Sequence, residues 1–425
     1  MDPRYETIKK WILIYFWLLI FEGALRKWIL PQLATPLLLV RDPVVLLIYY
    51  KVYQKRIFPK GIWMELLLVL FIGSLAFTFI SGHRNLEVAL FGVRANFMHI
   101  PLIFIMGKCL EFSDVEKIMR YINYMIFPMT LLLVAQFLSP PSAWVNVGIG
   151  GVGTAGFSGA LGKMRPPTVF SFITGTAMFY SLATVACISG FFLRKKIPRW
   201  LLILNILSII LAVPMSISRV LMFSVLIVVV AFGFGLLNSS RYRKYMGRVV
   251  FIFIFSAIIC PYIPYIDQAT TTFSSRWQSA ANHSGGSATA ATLGRTTNEF
   301  FGAIADIMHL PIFGLGLGIG TNAGSKLLTG EVLFLVSEGE WGRLLGEMGI
   351  LGLVLMIFRT ILSLSLAKRS WLMTSRGNLL AWLLCSNGFL LMVNGQWGQP
   401  TAQGFAILSC GLTLAALKKP VLGQS

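Results

Sequence analysis

The chain contains 425 residues with a net charge of +20, and 56% of its residues are hydrophobic while only 12% are charged. A soluble globular domain carries about 25% charged residues, so this composition excludes an ordinary soluble protein. Apolar stretches near or above the ~18 residues that cross a bilayer recur along the whole chain. The sequence therefore predicts an all-α, polytopic integral membrane protein.

About twelve apolar segments are predicted to span the membrane. They cover residues 11–25, 34–50, 62–80, 86–107, 120–138, 167–192, 200–217, 219–237, 249–266, 343–366, 379–394 and 402–417. The second segment contains Arg41 and Asp42, which are costly inside a bilayer, so a re-entrant or broken segment is the alternative there and would leave eleven spans. The first segment leads into further spans and has no small-residue cleavage site, which argues against a cleavable signal peptide.

Basic clusters lie on alternate connections between these segments. They are KVYQKRIFPK at 51–60, RKKIPR at 194–199, RYRKYMGR at 241–248 and AKRSWLMTSR at 367–376, with a further pair of lysines near each terminus. Because loops rich in Lys and Arg stay in the cytoplasm, we predict that these connections and both termini are cytoplasmic. This orientation explains most of the positive charge, so no nucleic-acid partner is expected.

The longest connection, residues 267–342, is predicted to form a large external loop within a single transmembrane domain of residues 1–425. Its segment RTTNEFFGAIADIMH, at 295–309, places Phe300, Ile304, Ile307 and Met308 on one helical face. This pattern predicts an amphipathic helix at the outer membrane surface.

The glycines of GLGLGIG, at 314–320, lack the spacing of a nucleotide-binding loop. Glycine at every second position is typical of an extended segment, of a close backbone approach to a ligand, or of a plain flexible loop.

Cations on the predicted outer side are few, and most of them are arginines. The notable set is Arg165, Arg219, Arg276, Arg295 and Arg343. The planar guanidinium meets two phosphate oxygens at once, so converging arginines indicate a diphosphate or another anion. The alternative is that each arginine reaches lipid headgroups or pairs with an acid such as Glu299, Glu340 or Glu347. A functional role is favoured for Arg219, because it follows PMSIS, where the chain re-enters the membrane.

Three carboxylates surround Arg343 in SEGEWGRLLGEMGILG: Glu338, Glu340 and Glu347. A carboxylate at the mouth of a membrane cavity can have a raised pKa and act as a general base. The alternative is an ion-paired helix start, in which Arg343 and Glu347 form an i,i+4 pair.

Neither the histidines nor the cysteines form a recognisable site. His83, His99, His283 and His309 have no metal-binding spacing, so neither a metal nor another cofactor is expected. The cysteines, Cys109, Cys187, Cys260, Cys385 and Cys410, lie in or beside apolar runs without a CxxC pair. They are predicted to be reduced and buried.

Several stretches follow one another in a characteristic order. They are MRPPTVFSFITGTAMFYSLA, then SISRVLMFSVLIVVV, then an external loop with GRTTNEFFGAIADIMHLPIFGLGLGIG, and finally EWGRLLGEMGILGLVLMI. In this order and topology, about residues 160–360 resemble the O-antigen ligase and O-antigen polymerase superfamily of bacterial envelope glycosyltransferases.

The resemblance implies an enzyme of the bacterial inner membrane that needs neither metal nor nucleotide sugar. It would take a glycan carried on undecaprenyl diphosphate at the outer face and transfer it to an acceptor glycan. Membrane lipids and a chain-length regulator or flippase would be its partners. Arg219 matches the Ser-Arg arginine that starts a span, Arg295 matches the loop arginine before the Gly-rich turn, and Arg165 matches the entry arginine more loosely.

One departure separates the two activities of the superfamily. Ligases usually place a histidine just before the E-x-G-x-x-G helix, whereas SEGEWGRLLGEMGILG contains none. We therefore expect an inverting, metal-independent polysaccharide polymerase. Its diphosphate site would consist of Arg219 and Arg295, supported by Arg165, Arg276 and Arg343, with Glu340 as the base and Glu338 in reserve. The alternatives are a ligase acting on lipid A core or protein, a multi-span transporter of a solute or anion, and a non-catalytic scaffold for envelope assembly.

Overall fold

The computed structural model describes residues 3–153, 159–192, 197–239, 247, 267–275, 302, 310–331, 335–337 and 339–418. Within these ranges the chain is helical and contains no β-strand. Six of the described helical segments are long and apolar enough to cross a membrane. These features confirm an all-helical membrane protein, while the count of twelve spans stays a prediction. The predicted span at 249–266 lies outside the described residues, and so does all but Gly302 of the predicted amphipathic helix.

The first nine helices cover the chain up to residue 237. They are α1 (Pro3–Ala24), α2 (Arg41–Gln54), α3 (Ile62–Ile80), α4 (Leu86–Val93), α5 (Ile100–Cys109), α6 (Phe112–Leu138), α7 (Ile173–Gly190), α8 (Arg199–Met215) and α9 (Arg219–Leu237). Five further helices have both ends within the later described ranges, and residues 267–275 are also helical. They are α10 (Asn322–Thr329), α11 (Glu340–Met348), α12 (Ile350–Ser375), α13 (Leu379–Asn394) and α14 (Pro400–Ala416).

Two predicted spans are interrupted. The predicted span 34–50 is an α-helix only from Arg41 onward, where α2 begins. Two short 3₁₀ turns, Pro31–Leu33 and Pro36–Leu39, precede it. Proline has no N–H to donate, so each of these turns begins where an α-helix could not continue. The predicted span 343–366 is divided between α11 and α12 at Gly349, whose φ of 55° interrupts the helical path.

The predicted span 86–107 contains a π-helix, Arg94–Met98, between α4 and α5. A π-helix is wider than an α-helix and displaces backbone carbonyls from their usual donors. The carbonyls of Arg94 and Ala95 instead accept hydrogen bonds from Nε2 of Gln403, at 3.0 and 2.8 Å. The side chain of Gln403, in α14, thus fixes the position of this wider turn.

The core lies around α7 and α14. Almost every residue of α14 is buried, and this helix packs against α5, α7 and α13. In α7, 89% of the residues are buried, and its neighbours include α6, α8 and α9. Two central helices surrounded on most sides can place polar groups at their ends away from lipid.

The glycine-rich segment 314–320 packs closely against other backbone segments. A Cβ atom on Gly318 would lie 2.0 Å from the carbonyl oxygen of Val88, and Gly318 has a φ of +89°. Beside it, Nε2 of His83 bonds to the carbonyl of Leu317 at 2.9 Å. The glycines are therefore needed for close approach to the protein's own α4, and the segment ends at Thr321, which caps α10.

Candidate functional site

A polar cavity of about 490 Å³ opens between the end of α1, the π-helices Leu25–Ile29 and Arg94–Met98, and the beginnings of three helices. The charged side chains in its described lining are three arginines and one carboxylate: Arg26, Arg94, Arg165 and Glu22. The lining is therefore positively charged, and the cavity is suited to an anion.

Three helix N-termini line the same cavity. The lining includes residues 171–175 at the start of α7, 321–323 at the start of α10 and 398–401 at the start of α14. The first N–H groups of a helix have no partner within the helix, and the helix dipole places partial positive charge there. Three such ends around one cavity add to the attraction that the arginines exert on an anion.

Arg26 is held by contacts from three directions. Its Nε donates to the carbonyl of Ala34 at 2.7 Å, and its Nη1 donates to Oγ of Ser171 at 3.1 Å and to Oε1 of Glu22 at 3.4 Å. The other oxygen of Glu22 accepts from Nε of the fully buried Arg41 at 3.1 Å. The only carboxylate in the described lining is thus shared by two guanidinium groups, which leaves the cavity cationic.

Arg94 is positioned from the first residues of α2 and the turn before them. Its Nε pairs with Oδ2 of Asp42, and its Nη2 donates to the carbonyl of Leu38 at 3.1 Å. Oδ1 of Asp42 also lies 3.1 Å from Nε2 of His99. Because α4 ends at the π-helix, Arg94 and Ala95 face the cavity while their carbonyls are bonded by Gln403.

Arg165 comes from the connection between α6 and α7. Two side chains fix this connection at Thr168: Gln136 Oε1 accepts from the Thr168 N–H at 2.8 Å, and Lys27 Nζ donates to the Thr168 carbonyl at 2.5 Å. Burial lowers the pKa of Arg165, and the positive charge of Arg219 lowers this pKa further. Two like charges this near each other are stabilised by an anion between or beside them.

A second ionic cluster lies directly behind the cavity. Arg343 donates to Glu340 through Nε at 3.1 Å and through Nη2 at 3.0 Å, and its Nη1 lies 3.0 Å from Oε2 of Glu347. Arg359 Nη1 donates to Glu340 at 2.7 Å, with its guanidinium 3.8 Å from the ring centroid of Trp397. Gly398 lines the cavity, and a Cβ atom on this residue would lie 3.6 Å from Cδ and Nε of Arg343.

This cluster changes the interpretation of Glu340. Burial would raise the pKa of its carboxyl, but Arg343 and Arg359 outweigh burial and hold the pKa below its ordinary value. Both carboxylate oxygens are occupied, since Oε2 also accepts the Trp397 N–H at 3.0 Å. The expected raised pKa is therefore wrong, and the alternative of an ion-paired helix start, with an Arg343–Glu347 pair, describes what is observed.

The structure brings some of the predicted site residues together. Arg165 lines the cavity, Arg219 lies near Arg165 at the first residue of α9, and Arg343 and Glu340 lie behind the cavity wall. The other three predicted residues, Arg276, Arg295 and Glu338, lie outside the described residues. Two lining arginines, Arg26 and Arg94, were not predicted. Arg94 could have been found by the criterion applied to Arg219, because it also interrupts an apolar run.

No protein-family model, curated protein or solved structure matches this chain.

Proposed function

We propose that this protein is a membrane glycosyltransferase, a polysaccharide polymerase that transfers a glycan from undecaprenyl diphosphate to the hydroxyl of an acceptor glycan. The observation that carries the proposal is the convergence of three guanidinium groups and three helix N-termini on one cavity. The resemblance of residues 160–360 to the ligase and polymerase superfamily supplies the reaction class.

A diphosphate suits this cavity better than a singly charged anion. The planar forks of Arg26, Arg94 and Arg165 come from different elements, so they can meet different phosphate oxygens. Arg219 adds a further positive charge beside Arg165. The ion pairs of Arg26 and Arg94 hold both side chains in place before a ligand binds, which reduces the reorganisation that binding requires.

In the proposed reaction, negative charge develops on the leaving diphosphate, which these arginines would contact. The acceptor oxygen attacks the anomeric carbon, the bond from that carbon to the phosphate oxygen breaks, and the electron pair leaves with the lipid diphosphate. Positive groups around the leaving diphosphate stabilise this charge in the transition state. In this proposal Glu340 and Glu22, each held by two guanidinium groups, have positioning roles, and the second predicted base, Glu338, accepts the hydroxyl proton.

The proposal is tested in proteoliposomes that contain undecaprenyl-diphosphate oligosaccharide from the native host. Glycan length is read on a gel, and released lipid diphosphate is measured by mass spectrometry. We expect Arg165→Gln to slow glycan extension and lipid release by about a hundredfold, as for the loss of one group that stabilises a developing oxyanion. The control is Arg369→Gln, which removes the same charge from an exposed residue of α12.

The same vesicles separate the alternative functions. Equal rates of extension in wild type and Arg165→Gln would contradict a role for the cavity in glycan transfer. Glycan joined to added lipid A core or protein, without extension of free chains, would replace the polymerase with a ligase that uses the same cavity. Flux of glycan or phosphate across the vesicle membrane without any transfer would identify a transporter.

A further inference from the structure

A second cavity lies apart from the polar one and has the opposite character. It is an apolar groove of about 500 Å³. Its walls are formed by Tyr49 of α2, residues 58–61 of the next connection, one side of α3 from Met64 to Phe71, and the segment from Val93 to Pro101. Lys60 and Glu65 are the charged residues in its described lining, and both lie at the end where α3 begins.

The groove exists because α2 and α3, although consecutive, pack against different neighbours. Helix α2 packs against α1, whereas α3 packs against α4 and α12, and the connection between α2 and α3 bridges the gap. The polar group in the wall is satisfied, since the Tyr49 hydroxyl donates to the Met98 carbonyl at 2.5 Å. Leu68, on the open side, is 55% exposed. The interior therefore offers a surface only for a hydrocarbon chain.

The π-helix and α2 separate the two cavities. Arg94 and Ala95 line the polar cavity, while Phe97 and Met98 line the groove. Leu38, before α2, lines the polar cavity, and the connection after α2 lines the groove. With 14 residues in α2, the mouths are about 20 Å apart along the helix axis. A lipid whose headgroup lies at the groove mouth is therefore distinct from a ligand with its phosphates in the polar cavity.

The selectivity of the groove for one lipid must come from the headgroup. A chain that leaves the bilayer for an apolar groove gains little from the hydrophobic effect, because lipid tails are already as apolar as the groove. Lys51 lies in the last turn of α2, and the connection that follows carries Lys55, Arg56 and Lys60. Clustered Lys and Arg at a membrane surface attract acidic headgroups, by about 1 kcal/mol per charge, or about fivefold in affinity.

We propose that this groove binds one acidic glycerophospholipid, with one acyl chain between α2 and α3 and the headgroup at the basic connection 51–60. The lipid comes from the leaflet that faces this connection. Binding at this site does not rest on the proposed glycan transfer.

The test uses the full chain in nanodiscs made of dioleoylphosphatidylcholine with a minor share of dioleoylphosphatidylglycerol. After release into mild detergent, native mass spectrometry counts the lipids that stay bound. We expect one phosphatidylglycerol per chain in the wild type. Lys60→Gln lowers its retention about fivefold, and adding Arg56→Gln lowers it about fivefold again. Leu68→Trp, which fills the groove without changing charge, also removes the bound lipid.

Lys368→Gln is the matched control, because it removes one positive charge from an exposed residue away from the groove. Its retention of phosphatidylglycerol equals that of the wild type. Retention of phosphatidylcholine at the level of phosphatidylglycerol, or loss in none of the groove variants, overturns the proposal. If Leu68→Trp fails to fold, as judged by its unfolding midpoint, the Lys60→Gln comparison alone decides.

Discussion

Arg26, Arg41 and Arg94 show how a guanidinium group is kept inside an apolar helical bundle. Each of them has a carboxylate partner and also donates to a backbone carbonyl: those of Ala34, Pro400 and Leu38, respectively. A buried charge is stabilised by an ion pair and by hydrogen bonds from its other donors. In this set Nη1 of Arg41 has no hydrogen-bond partner among the described residues. These contacts hold the side chains in one orientation, so the cavity keeps its positive lining without a ligand.

The ionic cluster behind the cavity depends on Glu340. Glu340→Gln keeps the shape of the side chain but leaves Arg343 and Arg359 with less compensation in a buried setting. We expect the free energy of unfolding to fall by about 3–5 kcal/mol, as when one partner of a buried ion pair is removed. Denaturant unfolding of the purified protein in detergent measures this change. Glu331→Gln, at an exposed position, is the control, and equal stability of both variants would contradict the role given to Glu340.

Because Lys27 is buried, we expect the free energy of unfolding to depend on pH. Burial lowers the pKa of its ammonium group from 10.5 to about 7. Between these two values the unfolded chain holds a proton on Lys27 that the folded chain lacks, so the free energy of unfolding rises with pH, by up to about 1.4 kcal/mol per pH unit. Unfolding midpoints measured from pH 7 to 10.5 check this increase. Lys27→Met removes the increase, whereas Lys10→Met, at an exposed position, leaves it; the same slope in Lys27→Met would assign it to other groups.

Among the connections, the glycine-rich segment 314–320 is closely constrained by its neighbours. Positive φ angles at Gly314, Gly316 and Gly318 route it across α4 and back to the start of α10. The amide N–H of Gly320 then donates to Oε1 of Glu347 at 3.1 Å, which ties the segment to the ionic cluster. The segment thus connects α4, α10 and the wall of the polar cavity.

Substitution of Gly318 tests this role. In Gly318→Ala the new methyl group meets the Val88 carbonyl at 2.0 Å in a backbone conformation that alanine rarely adopts. We expect a loss of stability of about 1–3 kcal/mol or more, because the clash adds to the backbone strain. Gly233→Ala is the control, since nothing lies near its Cβ position in α9 and alanine favours a helix by up to about 1 kcal/mol. Thermal unfolding in detergent compares the two variants, and a Gly318→Ala protein as stable as Gly233→Ala would show that the segment adapts.

For the whole molecule, the sequence is informative about helices and much less about how they meet. The predicted bounds of α3 and α9 agree with the structure, because each is a single apolar run with clear ends. The π-helix at Arg94 could not be predicted, because its carbonyls are bonded by Gln403, more than 300 residues away in sequence. Likewise, Arg26 and Arg94 form a site only because α1, the start of α2 and α14 pack together, and no local pattern encodes that packing.

The orientation of the molecule in the membrane can be tested by labelling. Basic connections are predicted to share one side, so Val152→Cys, at a position 91% exposed between α6 and α7, should react with an impermeant maleimide in intact cells. Lys368→Cys should react only after the membrane is opened. The unmodified protein is the control, because its described cysteines, Cys109, Cys187, Cys385 and Cys410, are buried. Labelling of both introduced cysteines from the same side would contradict the predicted topology.

The hydrogen bond from Arg41 to the Pro400 carbonyl has a consequence for biosynthesis. The two residues are 359 positions apart in the chain, so Arg41 reaches the membrane long before its partner has been synthesised. At usual rates of translation the interval is roughly 20–70 s. During this time the carboxylates already synthesised, Glu22 and Asp42, can neutralise Arg41, and the Arg94 carbonyl still lacks Gln403. The early helices must therefore wait in a loosely assembled state, exposed to membrane proteases and insertion chaperones, until α14 arrives and completes the bundle.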